Sequence, residues 1–515
     1  MKKRNLFVLC TVLVVLVAVS SAFAAGVAEQ APAAQKSQTL TIGVSQEAVG
    51  LDPHIVTAFS SMRRLDLLYN RLVRLDENMQ VVPDLAESWE IPNNLTYIFH
   101  LRKGVKFHNG REMTADDVKY SLERVLDPAT ASPGRSYIST ISKIEVVDAY
   151  TVKLTLSSPL ASLLDALTSN NISIVPREAV QEHGNLQRVA VGTGPYMLKE
   201  WVVDNSMTLV KNPNYFEAGL PKSDQVIFRV IPEEASLYAG VRSGNLDLAT
   251  INDGATIRQA KADKNVVVMS KPGMNVRVFS FNNQKKPFDD IRVRQAVALA
   301  LNRSEILTMA EYGMGATTGP IPISAKVWAI PPDQLPLGKT DYAKAKQLLA
   351  DAGYPNGFAF DIVCSSTYEG GLAVAQVIQN QLKNIGLTAN LDVVEWGNYI
   401  DRWAKRDFAT MVELRGGSSE PDRFLYRSLH STGGVNNFMF KDAETDALLE
   451  LGREQTDPAQ RKATYDKVQV VLSEKAPLVF LYSPNENQVT SPYVEGFKQI
   501  GNGSLYYVTH AQVIK

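Results

Sequence analysis

From about residue 285 the chain alternates between two apolar periodicities, and this limits the fold more than any other feature. Helical spacing is read at 293–301, 341–352, 371–385, 399–405, 443–454 and 458–474. Short apolar runs that read as strands fall between them, at 358–363, 388–394, 408–414 and 477–482. Gly353, close to Pro355, and Gly386 stand where helices should stop. Strands alternating with helices of this length predict βαβ units on a mixed or parallel sheet. No sequence period repeats along the chain.

The N-terminal half is less regular. A first strand is expected at 39–45, a helix at 62–72, and one strand at 146–156. Between them, residues 101–128 read LRKGVKFHNGREMTADDVKYSLERVLDP. Residues 96–101 alternate as a strand, and Asn109-Gly110 supplies a turn. Thr114 and Asp117 form a capping box, and Asp116 and Asp117 favour the positive helix end. Val118, Leu122 and Val125 share one helical face, and Pro128 ends the helix. All of this reads as structural.

The N-terminus has Lys2, Lys3 and Arg4, a 14-residue apolar run at 6–19, and then Ala22-Phe23-Ala24. That order predicts a secretory signal peptide over 1–24; the run is too short to span a bilayer easily. The Ala, Pro and Gln rich segment 25–38 is expected to be a flexible tether. No cysteine stands at the cleavage point, which argues against lipidation. Cys10 would leave with the leader, so Cys364 remains alone and no intramolecular disulfide can form. A periplasmic location is expected. Removing the three leader cations leaves 50 basic against 54 acidic residues, which gives no sign of a nucleic-acid partner. The remaining length is too great for a single core, so two or more lobes are expected.

Catalytic and metal motifs are missing. The six histidines form no metal-binding spacing, and a structural zinc site is not expected. Gly338-Lys339-Thr340 ends like a phosphate loop, but Asp333 stands where its first glycine belongs. No G-x-S-x-G elbow occurs, and Gly192-Thr193-Gly194-Pro195 reads as a tight turn before a strand. An enzyme is not expected, although spacing alone would not reveal a carboxylate or serine pair hidden in a cleft. An exported two-lobed α/β protein could instead enclose a small ligand with aromatic and arginine side chains.

Several blocks in this order resemble the family-5 extracellular solute-binding proteins of ABC importers. They are Leu51-Asp52-Pro53-His54, Leu68-Tyr69-Asn70-Arg71-Leu72-Val73, Val82-Pro83-Asp84-Leu85-Ala86-Glu87-Ser88-Trp89, and the stretch 101–128. Gly192-Thr193-Gly194-Pro195-Tyr196, Lys211-Asn212-Pro213-Asn214-Tyr215 and RVRQAVALALN at 292–302 follow. The resemblance implies a two-lobed α/β periplasmic-binding-protein fold of the large, type II-like kind. Lobe I would span 39–277, with an extra subdomain at about 82–215. Lobe II would span 278–487, and 488–515 would return to lobe I. The chain would cross between lobes near 277–281 and 482–488. No cofactor is implied. The partners implied are a small solute and an inner-membrane ABC permease, with the protein a monomer.

The resemblance also directs attention to particular residues. Thr57, Ala58, Phe59 and Ser60 follow the Asp-Pro-His segment, in a loop that lines the ligand cleft in this family. Peptide binders of the family hold the ligand's amine with an Asp shortly before an acidic-Pro pair. Counting back from Glu420-Pro421, that position falls on Gly417, beside Ser418. Recognition of a free α-amine is therefore in doubt; Glu413, Glu420 and Asp422 are nearby acids able to compensate. On this reading, Gly417→Asp should install an ammonium acceptor. Arg415 could hold a carboxylate or phosphate, or could form a salt bridge within its lobe. Trp396, and less directly Trp201, could form a stacking wall. A peptide or peptide-like solute is the leading expectation. An oligosaccharide or opine-like conjugate is the alternative, a nickel chelate is less favoured, and a chaperone-like or chemoreceptor-input role is also open.

Overall fold

The protein is described here by a computed structural model covering residues 38–365 and 370–514. The expected leader and nearly all of the expected tether lie outside these residues. A twelve-stranded mixed sheet runs through the fold. Its main path is Thr388–Val394, Ala359–Ser365, Thr410–Arg415, Val276–Phe281, Leu478–Thr490, Leu248–Thr250, Thr39–Val44, Gln225–Val230, Ser206–Lys211, Tyr196–Val202. Parallel pairs occur on both sides, as βαβ crossovers require. Ala359–Ser365 runs parallel to Thr388–Val394, and Thr39–Val44 runs parallel to Gln225–Val230.

Leu478–Thr490 joins the two halves of this sheet. Its early residues pair antiparallel with Val276–Phe281, and its later ones with Val267–Pro272 and Leu248–Thr250. The handover falls at Pro484, where the backbone of Gly273 comes so close that an added Cβ would lie 2.2 Å from the Pro484 carbonyl oxygen. Beside this point Tyr482 donates to Glu311 at 2.9 Å in the buried interior.

Each region carries its own apolar cluster. One packs Phe279, Phe281, Phe288 and Phe360 against the helix Ile291–Ala300, with the Phe281 and Phe288 rings stacked at 5.2 Å. A second gathers Leu40, Ile42, Val226 and Phe228. A third sits under a separate four-stranded sheet, Ala86–Asn93, Thr96–Leu101, Thr151–Leu156 and Ile141–Asp148. Fully burying one such large side chain stabilises the fold by about 1.5–3 kcal/mol, so each cluster can hold its region together. Cys364 is buried, and burial pushes its thiol up to about 11.

The helix Ala115–Leu126 forms as its sequence predicts. Asp117 accepts the Thr114 backbone N–H at 2.9 Å, and Val118, Leu122 and Val125 are fully buried. Its charges tie elements together. Arg111 bridges Asp117 and Glu178, while Arg124 crosses to Asp52 at 2.7 Å. Arg124 also donates to His54 Nδ1 at 2.9 Å, and His54 Nε2 meets the Ser173 carbonyl at 2.8 Å. The Leu51-Asp52-Pro53-His54 block and the capped helix are thus two sides of one buried polar lock.

Some boundaries differ from the sequence reading. The helix expected at 62–72 is Phe59–Leu68, because Asn70 and Arg71 are engaged by Asp84 instead of continuing it. The strand expected at 146–156 is a hairpin. Asp148 accepts the Tyr150 N–H at 2.8 Å in a tight turn, so Ile141–Asp148 and Thr151–Leu156 pair with each other. The helix expected from 399 begins at Trp396, capped by Glu395. The late strand continues to Thr490, well beyond its apolar start, because its polar second half is covered on both sides by neighbouring strands.

Burial, with the nearby Arg124 charge, pushes His54 down to about 4. Burial alone would raise Asp52, but the Arg124 guanidinium overrides it and holds that carboxyl below its usual range. An unfolded histidine takes up a proton below about pH 6.5, while folded His54 stays neutral until about 4. Acid therefore favours the unfolded chain. The His54 contribution, about 3 kcal/mol, is present above pH 6.5 and lost as pH falls to 4. Denaturant unfolding at pH 7.5 and 4.5 should show this loss, and His54→Asn should reduce the difference between the two pH values. An identical pH dependence in the variant would remove His54 as its source.

Candidate functional site

Two adjoining chambers lie between the halves of the fold. The first is walled on one side by Phe59, Met62, Arg63 and Asp66 of the helix Phe59–Leu68, with Arg71 and Arg74 just beyond it. Opposite stand Gly416, Gly417 and Ser418, then Arg423 and Arg427 of the helix Pro421–Leu429. Tyr137, Thr168 and Asn170 close a third side. Among the described residues, the charged lining consists of five arginines and a single carboxylate, Asp66.

Three of these arginines have acidic partners. Arg71 lies 3.4 Å from Asp66, Arg63 lies 3.8 Å from Glu486, and Arg423 lies 3.4 Å from Asp165. Burial raises the Asp165 carboxyl and Arg423 opposes that rise. Arg427 donates to the Tyr137 hydroxyl at 2.6 Å, and the Arg74 guanidinium sits 4.4 Å over the Tyr506 ring. Among the described residues, no carboxylate lies within ion-pair distance of Arg74 or Arg427; burial would lower the Arg74 guanidinium, but Tyr506 and the nearby Asp84 and Glu217 carboxyls override it and raise it.

The second chamber shares Phe59, Met62, Gly416 and Arg427 with the first. Its distinctive wall is one face of the helix Trp396–Lys405, where Trp396, Tyr399, Ile400 and Trp403 fall at i, i+3, i+4 and i+7. Glu395 caps this helix by accepting the Gly397 and Asn398 N–H groups at 2.8 and 2.7 Å. The Trp396 and Tyr399 rings stack at 5.8 Å, and the Tyr399 hydroxyl donates to the Val412 carbonyl at 2.8 Å. The floor is the end of strand Thr410–Arg415. Glu413 and Arg415, two residues apart, share a face and pair at 2.9 Å. Trp403 Nε1 donates to Glu413 Oε2 at 2.8 Å. Arg415 further bonds Asn437 and lies 4.6 Å over the Phe438 ring.

The candidate residues from the sequence distribute unevenly over this geometry. Thr57, Ala58, Phe59, Trp396 and Arg415 line the aromatic chamber, while Gly417 and Ser418 line the arginine chamber. Ser60 is buried and lines neither, with its carbonyl taken by Arg64. Glu420 lines neither chamber either. It caps its helix and is taken up by an ion pair with Arg461. Asp422 is likewise committed, accepting the Ser162 hydroxyl at 2.6 Å and lying 3.2 Å from Arg453. Trp201 is held elsewhere by Glu47 and Arg188.

Sequence reasoning missed Trp403 because it started the helix at Tyr399. The i, i+7 spacing from Trp396 carried the signal. It also missed Arg74 and Arg427, which no motif marks. The expectation for Gly417→Asp fails on sterics. A Cβ there would lie 1.8 Å from the Met274 carbonyl oxygen and 2.9 Å from Pro322 Cγ, so no side chain reaches the cleft from this backbone.

A continuous sheet shared by two α/β halves, with a lined cleft between them, defines the two-lobed periplasmic-binding fold of the type II class. Within that class, the chain belongs to the bacterial extracellular solute-binding proteins, family 5 Middle, which it matches over residues 80–436. It is 30% identical to heme-binding protein A of Haemophilus influenzae, over 92% of each chain. Among solved structures, Helicobacter pylori DppA in complex with the peptide STSA is 29% identical. It superposes with a TM-score of 0.85, covering 93% of this chain and 99% of that one. AgaA from A. tumefaciens R10, in complex with agropinic acid, is 29% identical with a TM-score of 0.84, and covers the same shares. The protein is thus a non-catalytic solute-binding component of an ABC importer. It holds a small solute between its lobes and works with a membrane permease.

Gly417→Ala should lower stability by about 1–3 kcal/mol, because the new methyl must displace backbone. Urea unfolding of both proteins measures this; equal midpoints would show that the Met274 segment yields freely.

Proposed function

We propose that the protein captures a small anionic, peptide-like solute and does not require a free α-amine on it. The observation that carries this is the excess of arginine in the first chamber, five against the one carboxylate Asp66 among the described residues, with Arg427 bonded there to the Tyr137 hydroxyl and to no carboxylate. A cation held away from bulk water is costly until an anion joins it. A solute carboxylate would supply that anion through charge-assisted hydrogen bonds. The apolar part of the same solute would lie against Phe59, Trp396 and Trp403 in the adjoining chamber. The steric closure at Gly417 supports dispensing with the amine, since the position that the resemblance assigns to the acceptor carries no side chain. An acidic opine-like conjugate is the second reading, favoured by the likeness to AgaA in complex with agropinic acid. Delivery from the periplasm is the setting that the expected leader supports.

Calorimetry tests this reading with three probes: Phe-Glu, N-acetyl-Phe-Glu, and the uncharged N-acetyl-Phe-glutamine amide. The acetylated acid should bind at least as tightly as Phe-Glu, and the uncharged probe about a hundredfold more weakly. Arg427→Gln should weaken the acid by about tenfold or more, the loss expected for a hydrogen bond to a charged group. Equal binding of the charged and uncharged probes would overturn the reading, as would a strong preference for the free amine. A hexitol–glutamate conjugate outcompeting the peptides would favour the second reading.

A further inference from the structure

Glu413 is a buried carboxylate, 3% exposed, in the lining of the aromatic chamber. Its Oε2 accepts Trp403 Nε1 at 2.8 Å and pairs with Arg415 at 2.9 Å. Its Oε1 is also shielded from solvent and has no hydrogen-bond partner among the described residues. Buried carboxylate oxygens are costly to leave unsatisfied, so Oε1, on a residue that lines the chamber, is left short of a donor. Of the three acids close to the Gly417 position, this is the only one that lines a chamber. Glu420 is held by Arg461, and Asp422 by Ser162 and Arg453.

The geometry points to Glu413 as a specificity-determining residue whose Oε1 accepts a hydrogen bond from an uncharged N–H or O–H of the solute. This rests on the reading of the cleft given above and adds the chemistry of its apolar end. The charge balance selects an uncharged donor. The charged side chains lining the chamber are Glu413, Arg415 and Arg427, so the cations outnumber the single carboxylate. An ammonium entering there would face a net positive wall, and the charge of the one carboxylate is already engaged through Oε2 by Arg415 at 2.9 Å. A neutral donor avoids that repulsion and still satisfies Oε1. The aromatic faces beside it suit a donor carried next to an apolar group or on the edge of a sugar-like ring. Amide and hydroxyl donors share this hydrogen-bond chemistry.

The test uses N-acetyl-Phe-Glu and two ester analogues, each with one of its N–H groups replaced by oxygen. A hexitol–glutamate conjugate and its O-methylated form serve as the hydroxyl arm, and Phe-Glu as the ammonium arm. In the wild type, one ester analogue, or the O-methylated conjugate, should bind about tenfold more weakly than its parent. Glu413→Gln should shrink that ratio to about twofold. Trp403→Phe, which removes the bond to Oε2 and keeps an aromatic ring in the chamber wall, should leave the ratio intact even if it weakens every probe alike. The wild-type ratios can be read even if Glu413→Gln does not fold. Parents that bind, with every donor-deleted form binding equally well, would overturn the assignment of Glu413 alone. A tenfold preference for Phe-Glu that vanishes in Glu413→Gln would overturn the uncharged class. If no probe binds the wild type, the reading of the cleft as a site for anionic peptide-like solutes fails first, and this inference falls with it.

Discussion

The strand Leu478–Thr490 is the constraint on which both halves depend. It belongs to each half of the sheet in turn, pairing with Val276–Phe281 before Pro484 and with Val267–Pro272 after it. A strand held by ladders on both sides moves as part of a sheet, so relative motion of the halves must concentrate where the ladders change hands. That place is the close approach of Gly273 to Pro484, where only a glycine fits. The walls of both chambers come from both halves. Their shape therefore follows from the register of a strand that touches neither chamber.

A second set of contacts defines the cleft from its far side. The helix Pro421–Leu429 and its neighbour Ala443–Glu454 reach across to the region around Ser136 and Ser162. Asp422 accepts from Ser162, Arg427 donates to Tyr137, and Arg453 donates to the Ser136 carbonyl at 2.9 Å. These are hydrogen-bonded charges in a largely buried setting, where breaking one partner leaves the other costly. Arg427 takes part both in this crossing and in the lining of both chambers, so solute contact and lobe contact meet at one guanidinium.

Much of the fold was legible because local rules and global packing agree. The strand Thr388–Val394 and the helix Ala443–Glu454 coincide with their periodic runs, and the capping box at Thr114 forms. The errors occur where a local rule is outvoted. Val146 to Leu156 alternates throughout, yet Asp148 turns the chain, because a side-chain acceptor two residues before Tyr150 competes with strand extension. The late strand looked short because its second half is polar, but neighbours on both edges bury it regardless of hydropathy. In the site, residues next to a recognisable block were found, such as Phe59 and Arg415. Arg74 and Arg427 were not, since what distinguishes them is that they line the first chamber, a property of three-dimensional neighbours. At Gly417 the sequence shows only a missing side chain. That the backbone there is pressed against Met274 has no one-dimensional signature.

The pairing of Leu248–Thr250 with Gln488–Thr490 has a consequence for how the molecule is made. Early and late parts of the chain must meet before the central ladder exists, which gives the fold a high contact order and a slow final step. A ribosome must release nearly the whole chain before that strand can be inserted. Until then each half presents an unfilled edge, open to mispairing or to a chaperone. Completion of the sheet is therefore tied to completion of synthesis. Cys364, the one cysteine among the described residues, is buried, which leaves that last step insensitive to the redox state of the compartment where it occurs.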